Sequence, residues 1–460
     1  MKQLGEDGQA LIVVAGALTV LMMAAGLGVD FGYLRYQKRC QQSAADSAAI
    51  AGAAEINYGD VTTAAQTDAA TNGYTNGNNN VTVTVYNPPN DGPHAAVAGY
   101  VEVLVTKIQP TFFAKVAGFN NVTVTARAVA YAGSGQGCIY ALAPTGTGVS
   151  MNGSADITSG CGMYVDSSSS SALTVNGSNT LVDKFTDIVD GDSVNGSNTI
   201  TPAPTTGIVP IGDPLAYLDN SEPSIKTPCS GGSTYPAING TGANVTITPG
   251  SNCYSVNING SNNTVTLSPG NYGSVSVNGS GNTVTLGAGT YGSVQINGTG
   301  TLTFGPGQYS SITGNGTPNE IFNPGQYVIS SGNLTLNGTN GMSGAGVTFY
   351  LGPNAGGITV NGSDTTNLTA PTSGTFAGIL FFQNPNDTSA ATFNGSNGTT
   401  FNGAIYLPKA QVTMNGSNST SAAYTILVAN NLVLNGTDTF NDDYSSLAQG
   451  SPIKTTTLGE

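Results

Sequence analysis

The sequence predicts a mainly β protein, in which an N-terminal transmembrane helix and a small α+β module precede a parallel β-helix with turns of about 19 residues. This prediction depends on three observations. A short phrase recurs at constant spacing between residues 256 and 327, residues 10–29 carry no charge, and residues 81–131 contain alternating apolar and polar stretches. The predicted divisions are an anchor (1–56), a small module (57–135), a β-helix (136–448) and a C-terminal tail (449–460).

The recurring phrase contains an Asn-Gly pair and, further on, a tyrosine. The pairs stand 19 residues apart and the tyrosines follow each other at 18 or 19 residues: Asn259-Gly260, Asn278-Gly279 and Asn297-Gly298, with Tyr272, Tyr291, Tyr309 and Tyr327. A constant period of this length with strand-like alternation inside it is typical of a solenoid.

Within each repeat, apolar residues alternate with hydroxyl-bearing ones, as in Val275 and Val277 or Val284 and Leu286. Period-two alternation places these apolar side chains on one face, which stacking of the next repeat would bury. Asn-Gly pairs fit the corners between the strands of such turns, because both residues tolerate the left-handed backbone conformation. Asn-Gly is also the strongest hairpin signal, so a meandering sheet is the alternative; constant spacing favours stacked turns.

Composition limits the function classes. The chain has 460 residues, of which 64 are glycine and 8% are charged, and its net charge is −14. An acidic, weakly charged surface argues against binding of nucleic acid. Low-complexity disorder is the alternative for such a composition, but the regular Val, Ile and Leu positions weigh against it.

The five cysteines form two close pairs and one single residue. Cys138 with Cys161 and Cys229 with Cys253 are predicted to be disulfides, because no histidine lies beside them to complete a zinc site. Cys40 has no partner in this scheme, and three interpretations stay open: a buried free thiol, a lipid-modified cysteine or an intermolecular bridge. The two disulfides would place the chain after residue 137 in an oxidising compartment.

Residues 10–29 have the length of one membrane span, and the helical pattern continues to about residue 56. A cleaved signal peptide is the alternative, but the apolar run is longer than a usual signal core. The basic residues that follow the span are Arg35, Lys38 and Arg39. By the positive-inside rule they favour a topology in which the C-terminal side stays in the cytoplasm. We give more weight to the predicted disulfides and expect the C-terminal region to be exported.

Residues 58–135 alternate as strands at 81–86, 97–107 and 122–131, with a short helix at 111–119. A long helix followed by a small antiparallel sheet is a pilin-like plan. The stretches that resemble a known family are Gly8-Gln9-Ala10, Gly28-Val29-Asp30-Phe31-Gly32, Gln41 to Glu55 (with Ala44-Ala45-Asp46-Ser47-Ala48), Pro110-Thr111-Phe112-Phe113 and Val124 to Ala130. They resemble the N-terminal module of TadG-like proteins of the Tad (tight adherence)/Flp pilus-assembly systems of bacteria, over residues 8 to about 135.

The resemblance implies a single-pass protein of the bacterial inner membrane, held by residues 10–29, with its C-terminal region periplasmic or at the cell surface. It implies pilus-assembly proteins or pilin as partners, and a role in adhesion or pilus biogenesis. Surface glycans are a further candidate partner of the repeats. The alternative function is a carbohydrate-binding surface protein unrelated to pili, in which Tyr272, Tyr291, Tyr309 and Tyr327 form an exposed ladder.

No catalytic constellation is recognisable in the repeats, and we expect no enzyme activity and no cofactor. Polysaccharide lyases of this fold use basic residues, whereas all three arginines and His94 precede the repeats. Asp187, Asp190 and Asp192 are weak candidates for a calcium site, with a solvated turn as the favoured interpretation. Residues 166–170 match an Asp-x-Ser-x-Ser metal motif, but a serine-rich turn is the better interpretation.

Overall fold

The structure, a computed structural model, describes residues 7–56, 60–134, 137–227, 229, 232–249, 253–363, 365–396, 398–418 and 421–459. The predicted boundaries at 56–57 and 135–136 fall next to or on residues outside this set. Two compact units are present: Met1–Ser134 with Lys454–Glu460, and Gly135–Ile453. The second unit is therefore an insertion between two strands of the first.

The first unit combines helices with a four-stranded antiparallel sheet. Its elements are α1 (Asp7–Ala54), α2 (Val61–Thr71), β1 (Val81–Tyr86), β2 (Tyr100–Pro110), a 3₁₀ helix (Ala114–Ala117), β3 (Asn121–Ser134) and the C-terminal strand (Lys454–Leu458). The strands lie in the order β1, β2, β3 and C-terminal strand. The long helix is confirmed. The C-terminal strand replaces the predicted tail, because the edge of β3 offers it backbone partners from Ala130 to Ser134.

Helix α1 packs its second half on the sheet through small side chains. Ala44, Ala45, Ala48 and Ala49 are fully buried against a cluster that includes Val101 and other valines of the sheet. Alanine has no side-chain entropy to lose and lets a helix approach a sheet closely. Asp60 is the N-cap of helix α2, and its carboxylate accepts hydrogen bonds from the amides of Thr62 and Thr63.

The second unit is a parallel β-solenoid of about 13 turns. Its first strands are β4 (Gly137–Ala141), β5 (Val149–Gly153), β6 (Asp156–Ser159), β7 (Gly162–Val165), β8 (Leu173–Gly177), β9 (Thr180–Val182), β10 (Thr186–Ile188), β11 (Asp192–Gly196), β12 (Thr199–Thr201) and β13 (Thr205–Thr206). Its later strands are β14 (Asn244–Ile247), β15 (Val256–Ile258), β16 (Thr264–Leu267), β17 (Gly270–Asn271), β18 (Val275–Val277), β19 (Asn282–Leu286), β20 (Gly289–Ile296), β21 (Thr299–Phe304), β22 (Gly307–Gly314), β23 (Thr317–Phe322), β24 (Gly325–Ile329), β25 (Leu334–Asn337), β26 (Met342–Ala345), β27 (Val347–Leu351), β28 (Ile358–Asn361), β29 (Thr366–Thr369), β30 (Ile379–Gln383), β31 (Ala391–Gly395), β32 (Thr400–Asn418), β33 (Thr425–Leu434) and β34 (Thr437–Phe440). Short 3₁₀ helices lie at Ala216–Asn220 and Gly338–Asn340.

The turns do not stack in sequence order. The last turn, β33 and β34, pairs in parallel with β4, β5 and β6 of the first turn, and the first turn pairs on its other side with β7, β8 and β9. The solenoid therefore begins spatially near β14, reaches β34, continues with β4 and ends at β10–β13. At one turn per ~4.8 Å, the stack of turns is roughly 60 Å long.

Residues 207–227 and Cys229, here the return segment, carry the chain back from one end of the solenoid to the other. Along its length it contacts Asp166, then Tyr406, then Gly352, then Gln308, and it ends at the Cys229–Cys253 disulfide. These partners lie progressively further along the stack, on or beside β7, β32, β27 and β22. Leu215 and Leu218 of the segment are fully buried in the solenoid core.

Both predicted disulfides are present, with Cα–Cα distances of 5.6 Å for Cys138–Cys161 and 5.8 Å for Cys229–Cys253. The first joins the two turns that follow the entry of the chain into the solenoid. The second ties the end of the return segment to the start of the long run of turns. Cys40 is unpaired and half-buried against the core of the first unit.

Candidate functional site

Helix α1 consists of two halves with opposite surroundings. Its first half exposes large apolar side chains, among them Leu11, Val20, Leu21 and Met22, each more than 60% exposed. The most apolar window within Leu11–Ala54 has a mean hydropathy of 2.3 and is 6% buried. Among the residues that the structure describes, α1 is the one helix long and apolar enough to cross a membrane.

Asp30 lies at the end of the apolar half and connects it to the sheet. Its carboxylate, which is almost fully buried, accepts hydrogen bonds from the amides of Phe112 (2.8 Å), Phe113 (2.9 Å) and Ala114 (2.6 Å). Hydrogen bonds to an ionised acceptor are stronger than neutral ones. Asp30 therefore fixes the loop between β2 and β3 against α1, and the Tyr33 and Phe112 rings pack edge to face beside it.

Polar side chains hold the second half of α1 to the sheet. The buried Gln41 amide nitrogen donates to the carbonyl oxygens of Val105 (3.1 Å) and Val124 (2.9 Å), and Lys38 donates to the carbonyl of Thr125. Gln42 donates to the Arg127 carbonyl at 2.8 Å. These bonds join the helix to two neighbouring strands at once, so the helix and sheet form one rigid unit.

A buried ion pair supports the far end of the same sheet. The Glu102 carboxylate is 1% exposed, bonds to the Arg127 guanidinium at 2.5 Å and accepts a hydrogen bond from the Asn90 amide at 2.8 Å. His94 stacks on Tyr100 with ring centroids 4.1 Å apart. The side chains of Glu102, Arg127 and His94 thus all make contacts within the first unit.

The predicted exposed tyrosine ladder is wrong. Tyr272, Tyr291, Tyr309 and Tyr327 are all 0% exposed, and successive rings stack inside the solenoid with centroids 5.0 to 6.1 Å apart. Their hydroxyls donate to carbonyl oxygens, as Tyr272 does to Ser268 (2.7 Å) and Ile247 (2.9 Å). The rings face inward because a tyrosine can bury its apolar body while its hydroxyl bonds to a turn carbonyl. Burial raises the pKa of Tyr272 to about 12.

The three aspartates named as calcium ligands do not meet. Asp187 lies on β10, whereas Asp190 and Asp192 are exposed beyond it, and no group of three or more His, Cys, Asp or Glu side chains arranged for a metal occurs in the described part of the chain. Asp183 is the more perturbed carboxyl: burial raises its pKa to about 6, and it accepts a hydrogen bond from Thr186 at 2.6 Å.

Asp166 has a structural role that the sequence did not reveal. Its carboxylate accepts hydrogen bonds from the amides of Ile211 (2.9 Å) and Gly212 (2.8 Å) at the start of the return segment. The aspartate of the Asp-x-Ser-x-Ser match therefore binds backbone amides of the return segment. Asp30 and Asp166 bind segments distant in sequence, so local spacing carried no signal for them; an aspartate directly after an apolar run is the only hint at Asp30.

The outer surface of the solenoid carries rows of amides. Asn259, Asn278, Asn297 and Asn315 donate from one turn to the next, at 2.8 to 3.0 Å. Equivalent rows continue from Asn394 to Asn415 and Asn435. Each amide is both donor and acceptor, so a row satisfies itself along the stack, as asparagine ladders do in stacked sheets.

Residues 8–55 match the family model described as "Putative Flp pilus-assembly TadE/G-like". This matched segment coincides with α1, from its exposed apolar half to the alanines that pack on the sheet. No curated protein and no solved structure matches the chain. The TadE/G-like segment on a membrane-length helix supports a pilus-related function in association with a membrane.

Proposed function

We propose that this chain is a membrane-anchored, non-catalytic component of a Tad/Flp pilus-assembly or adhesion system, with its solenoid on the extracytoplasmic side of the inner membrane. The observation that carries the proposal is the pilus-assembly match at residues 8–55, on the one candidate membrane helix of the described chain. The helix anchors the protein, and the small sheet positions the emerging chain.

The disulfides support the extracytoplasmic assignment. Cys138–Cys161 and Cys229–Cys253 both lie in the inserted unit, and disulfides persist in oxidising compartments such as the periplasm. The weakly charged surface of hydroxyl and amide groups fits an exposed structural element. Pilus-assembly proteins or pilin are the proposed partners of α1.

A structural role fits the placement of the reactive side chains. Arg35 and Arg39 lie on α1, Arg127 bonds Glu102, and the four stacked tyrosines from Tyr272 to Tyr327 donate to backbone carbonyls. Carboxyls with raised pKa values, such as Glu320, are enclosed between turns. The glycan-binding alternative has lost the exposed aromatic ladder on which it depended, and we do not pursue it.

Photo-crosslinking from α1 in the native host tests the proposal. A photoreactive residue at Leu21, which is 66% exposed, is expected to form adducts with pilin or pilus-assembly proteins. The same residue at the buried Ala48 is the matched control and should form none. Removal of the chain should reduce piliation or surface adhesion, and the full chain should restore it. Unchanged piliation together with an absence of adducts from Leu21 would refute the pilus assignment.

A further inference from the structure

The loop Thr111–Asn120 between β2 and β3, here the phenylalanine loop, lies against the apolar half of α1. The Phe113 ring contacts Gly26 so closely that a Cβ at that glycine would lie 2.7 Å from the ring. Asp30 holds the start of the loop through three backbone amides. The position of the loop beside the helix is therefore fixed by specific contacts.

Seven backbone amides of the phenylalanine loop are hydrogen-bonded within the first unit. The amides of Phe112, Phe113 and Ala114 donate to Asp30, and that of Thr111 donates to the Asn120 carbonyl at 3.1 Å. The next part of the loop bonds internally: Val116 to Phe113 (3.0 Å), Gly118 to Lys115 (3.0 Å) and Phe119 to Ala114 (3.2 Å). Backbone that enters hydrocarbon must be satisfied in this way, because each unpaired group costs several kcal/mol (~2–7).

Most exposed side chains of the same loop are apolar; Lys115 is its one charged residue, and its long apolar stem allows its ammonium group to reach the headgroup level. Val116 is 89% exposed, Phe119 66%, and Phe112 and Phe113 about half. Exposure of such a cluster to water is unfavourable. Large exposed apolar patches therefore mark binding surfaces for protein or membrane. The patch is continuous with Met22, Met23 and Leu27 of α1, which are also exposed. An apolar cleft of about 460 Å³ lies between loop and helix.

The level of the loop along α1 matches one leaflet. Val116 and Met22 both line the cleft, and Met22 precedes Asp30 by eight residues, which is roughly 12 Å of helix at 1.5 Å per residue. Half of a hydrocarbon core is ~15 Å. The basic residues Arg35 and Arg39 follow Asp30, where they would meet lipid headgroups. With α1 across a bilayer, Asp30 would lie at the membrane surface and the loop on the hydrocarbon side of it.

We propose that the phenylalanine loop inserts into the bilayer leaflet in which the apolar half of α1 ends, with the cleft between loop and helix filled by lipid acyl chains. This inference rests on the proposed anchoring through α1. The loop adds a second point of attachment that fixes the rotation and tilt of the first unit at the membrane. An isolated helix leaves both free, whereas interfacial anchors define them.

Tryptophan fluorescence in vesicles tests the insertion, because the chain contains no tryptophan of its own. Full-length protein carrying Phe113→Trp or Val116→Trp is incorporated into vesicles of phosphatidylethanolamine and phosphatidylglycerol, with and without brominated lipid. Tyr86→Trp is the control: Tyr86 is exposed in the same sheet and pairs with Glu102, eight residues of β2 away from Pro110. Flotation of the vesicles reports whether the protein is anchored.

Both loop variants are expected to emit at shorter wavelength than Tyr86→Trp and to lose most of their emission in brominated vesicles, while Tyr86→Trp keeps its emission. If the protein floats with the vesicles but the loop variants are not quenched, the insertion is refuted and the anchor stands. Blue-shifted, unquenched emission would identify another protein, including a second copy, as the cover of the loop and would equally refute it. Protein that fails to float would refute both the anchor and the insertion.

Discussion

Glycine at the Asn-Gly corners shows how a single residue controls the stacking of turns. A Cβ at Gly279 would lie 1.7 Å from the carbonyl oxygen of Gly260 in the turn below, and one at Gly298 would lie 1.9 Å from that of Gly279. These glycines do not have the left-handed backbone that the sequence predicted, whereas Gly153 and Gly177 do, with φ of 84° and 118°. In the regular repeats, close approach of backbones is therefore the requirement.

We expect Gly279→Ala to destabilise the solenoid by about 1–3 kcal/mol, the usual cost of overpacking a rigid site. Gly240→Ala is the matched control. Gly240 occupies the same corner in the terminal turn, and a Cβ there meets nothing within 4 Å. Urea unfolding compares the two, and equal stabilities would show that the corners tolerate a side chain.

Glu320 interrupts an aliphatic row in the solenoid core. It pairs with Leu302 on one side and Met342 on the other, and is fully buried. Burial raises the pKa of its carboxyl from 4.5 to about 8, an effect that the Asn337 amide opposes only in part. Its carboxyl oxygens make no hydrogen bond of normal geometry to any part of the chain that the structure describes.

The charge of Glu320 makes stability depend on pH. The unfolded chain releases this proton near pH 4.5 and the folded chain near pH 8. The stability is therefore unaffected below pH 4.5, where both states are protonated, and it falls as the pH rises towards 8, where only the folded state still holds the proton. We expect Glu320 to lower the free energy of unfolding over this window by on the order of 5 kcal/mol, and Glu320→Gln to remove this contribution while the buried Asp183 and Asp438 keep theirs. Denaturation at several pH values, with the exposed Asp190→Asn as control, tests this. An unchanged slope in Glu320→Gln would contradict the assignment.

At the residue scale the sequence located the inward positions but misplaced the tyrosines. Alternation identified Val265, Val284 and Leu286 as core residues, and all are fully buried. Tyr272 and its equivalents follow turn residues, where alternation no longer indicates a face. Their direction depends on carbonyl oxygens that only the assembled turns bring within reach.

At the scale of elements, the return segment is held by a few polar anchors. Besides Asp166, the hydroxyl of Tyr406 contacts the carboxylates of Asp213 (2.8 Å) and Asp219 (3.2 Å), and the Lys226 amide donates to Gln308 at 2.5 Å. Burial raises the pKa of Asp213. A segment without regular strands needs such bonds, because it has few backbone partners of its own.

Asp166→Ala is expected to release the start of the return segment. Loss of two bonds to a carboxylate should cost about 1–3 kcal/mol locally and expose the amides of Ile211 and Gly212 to solvent. Hydrogen exchange measures this directly: these two amides should exchange faster, while the strands of the turns keep their protection. The exposed Asp192→Ala is the control. Unchanged exchange at both amides would show that other contacts hold the segment.

The sequence did not predict the spatial order in which the turns stack. The 19-residue period predicted stacking of neighbouring repeats and the parallel solenoid, which the structure confirms. However, every turn presents the same apolar rows and backbone edges, so a periodic pattern does not specify which two turns meet when the chain leaves the stack. The pairing of β33 and β34 with the first turn depends on the return segment, whose irregular sequence carries no repeat.

At the scale of the inserted unit, engineered cysteines test this closure. Ser150 on β5 and Val433 on β33 are in register on neighbouring strands and face the same side. In a Cys40→Ser background, Ser150→Cys with Val433→Cys should form a disulfide under mild oxidation, detected by mass spectrometry. Ser150→Cys with Ser276→Cys is the control, because Ser276 lies in the same outward row many turns away. Failure of the first pair to bond would contradict the order of the turns.

If α1 anchors the chain with its inserted solenoid outside the cytoplasm, the solenoid should be accessible from the outside in cells. Val209, in the return segment, is 80% exposed. With Cys40→Ser, a Val209→Cys thiol should react with a membrane-impermeant maleimide in spheroplasts as completely as after detergent lysis, and Cys40→Ser alone should remain unlabelled. Labelling of Val209→Cys only after lysis would place the solenoid in the cytoplasm and contradict the account.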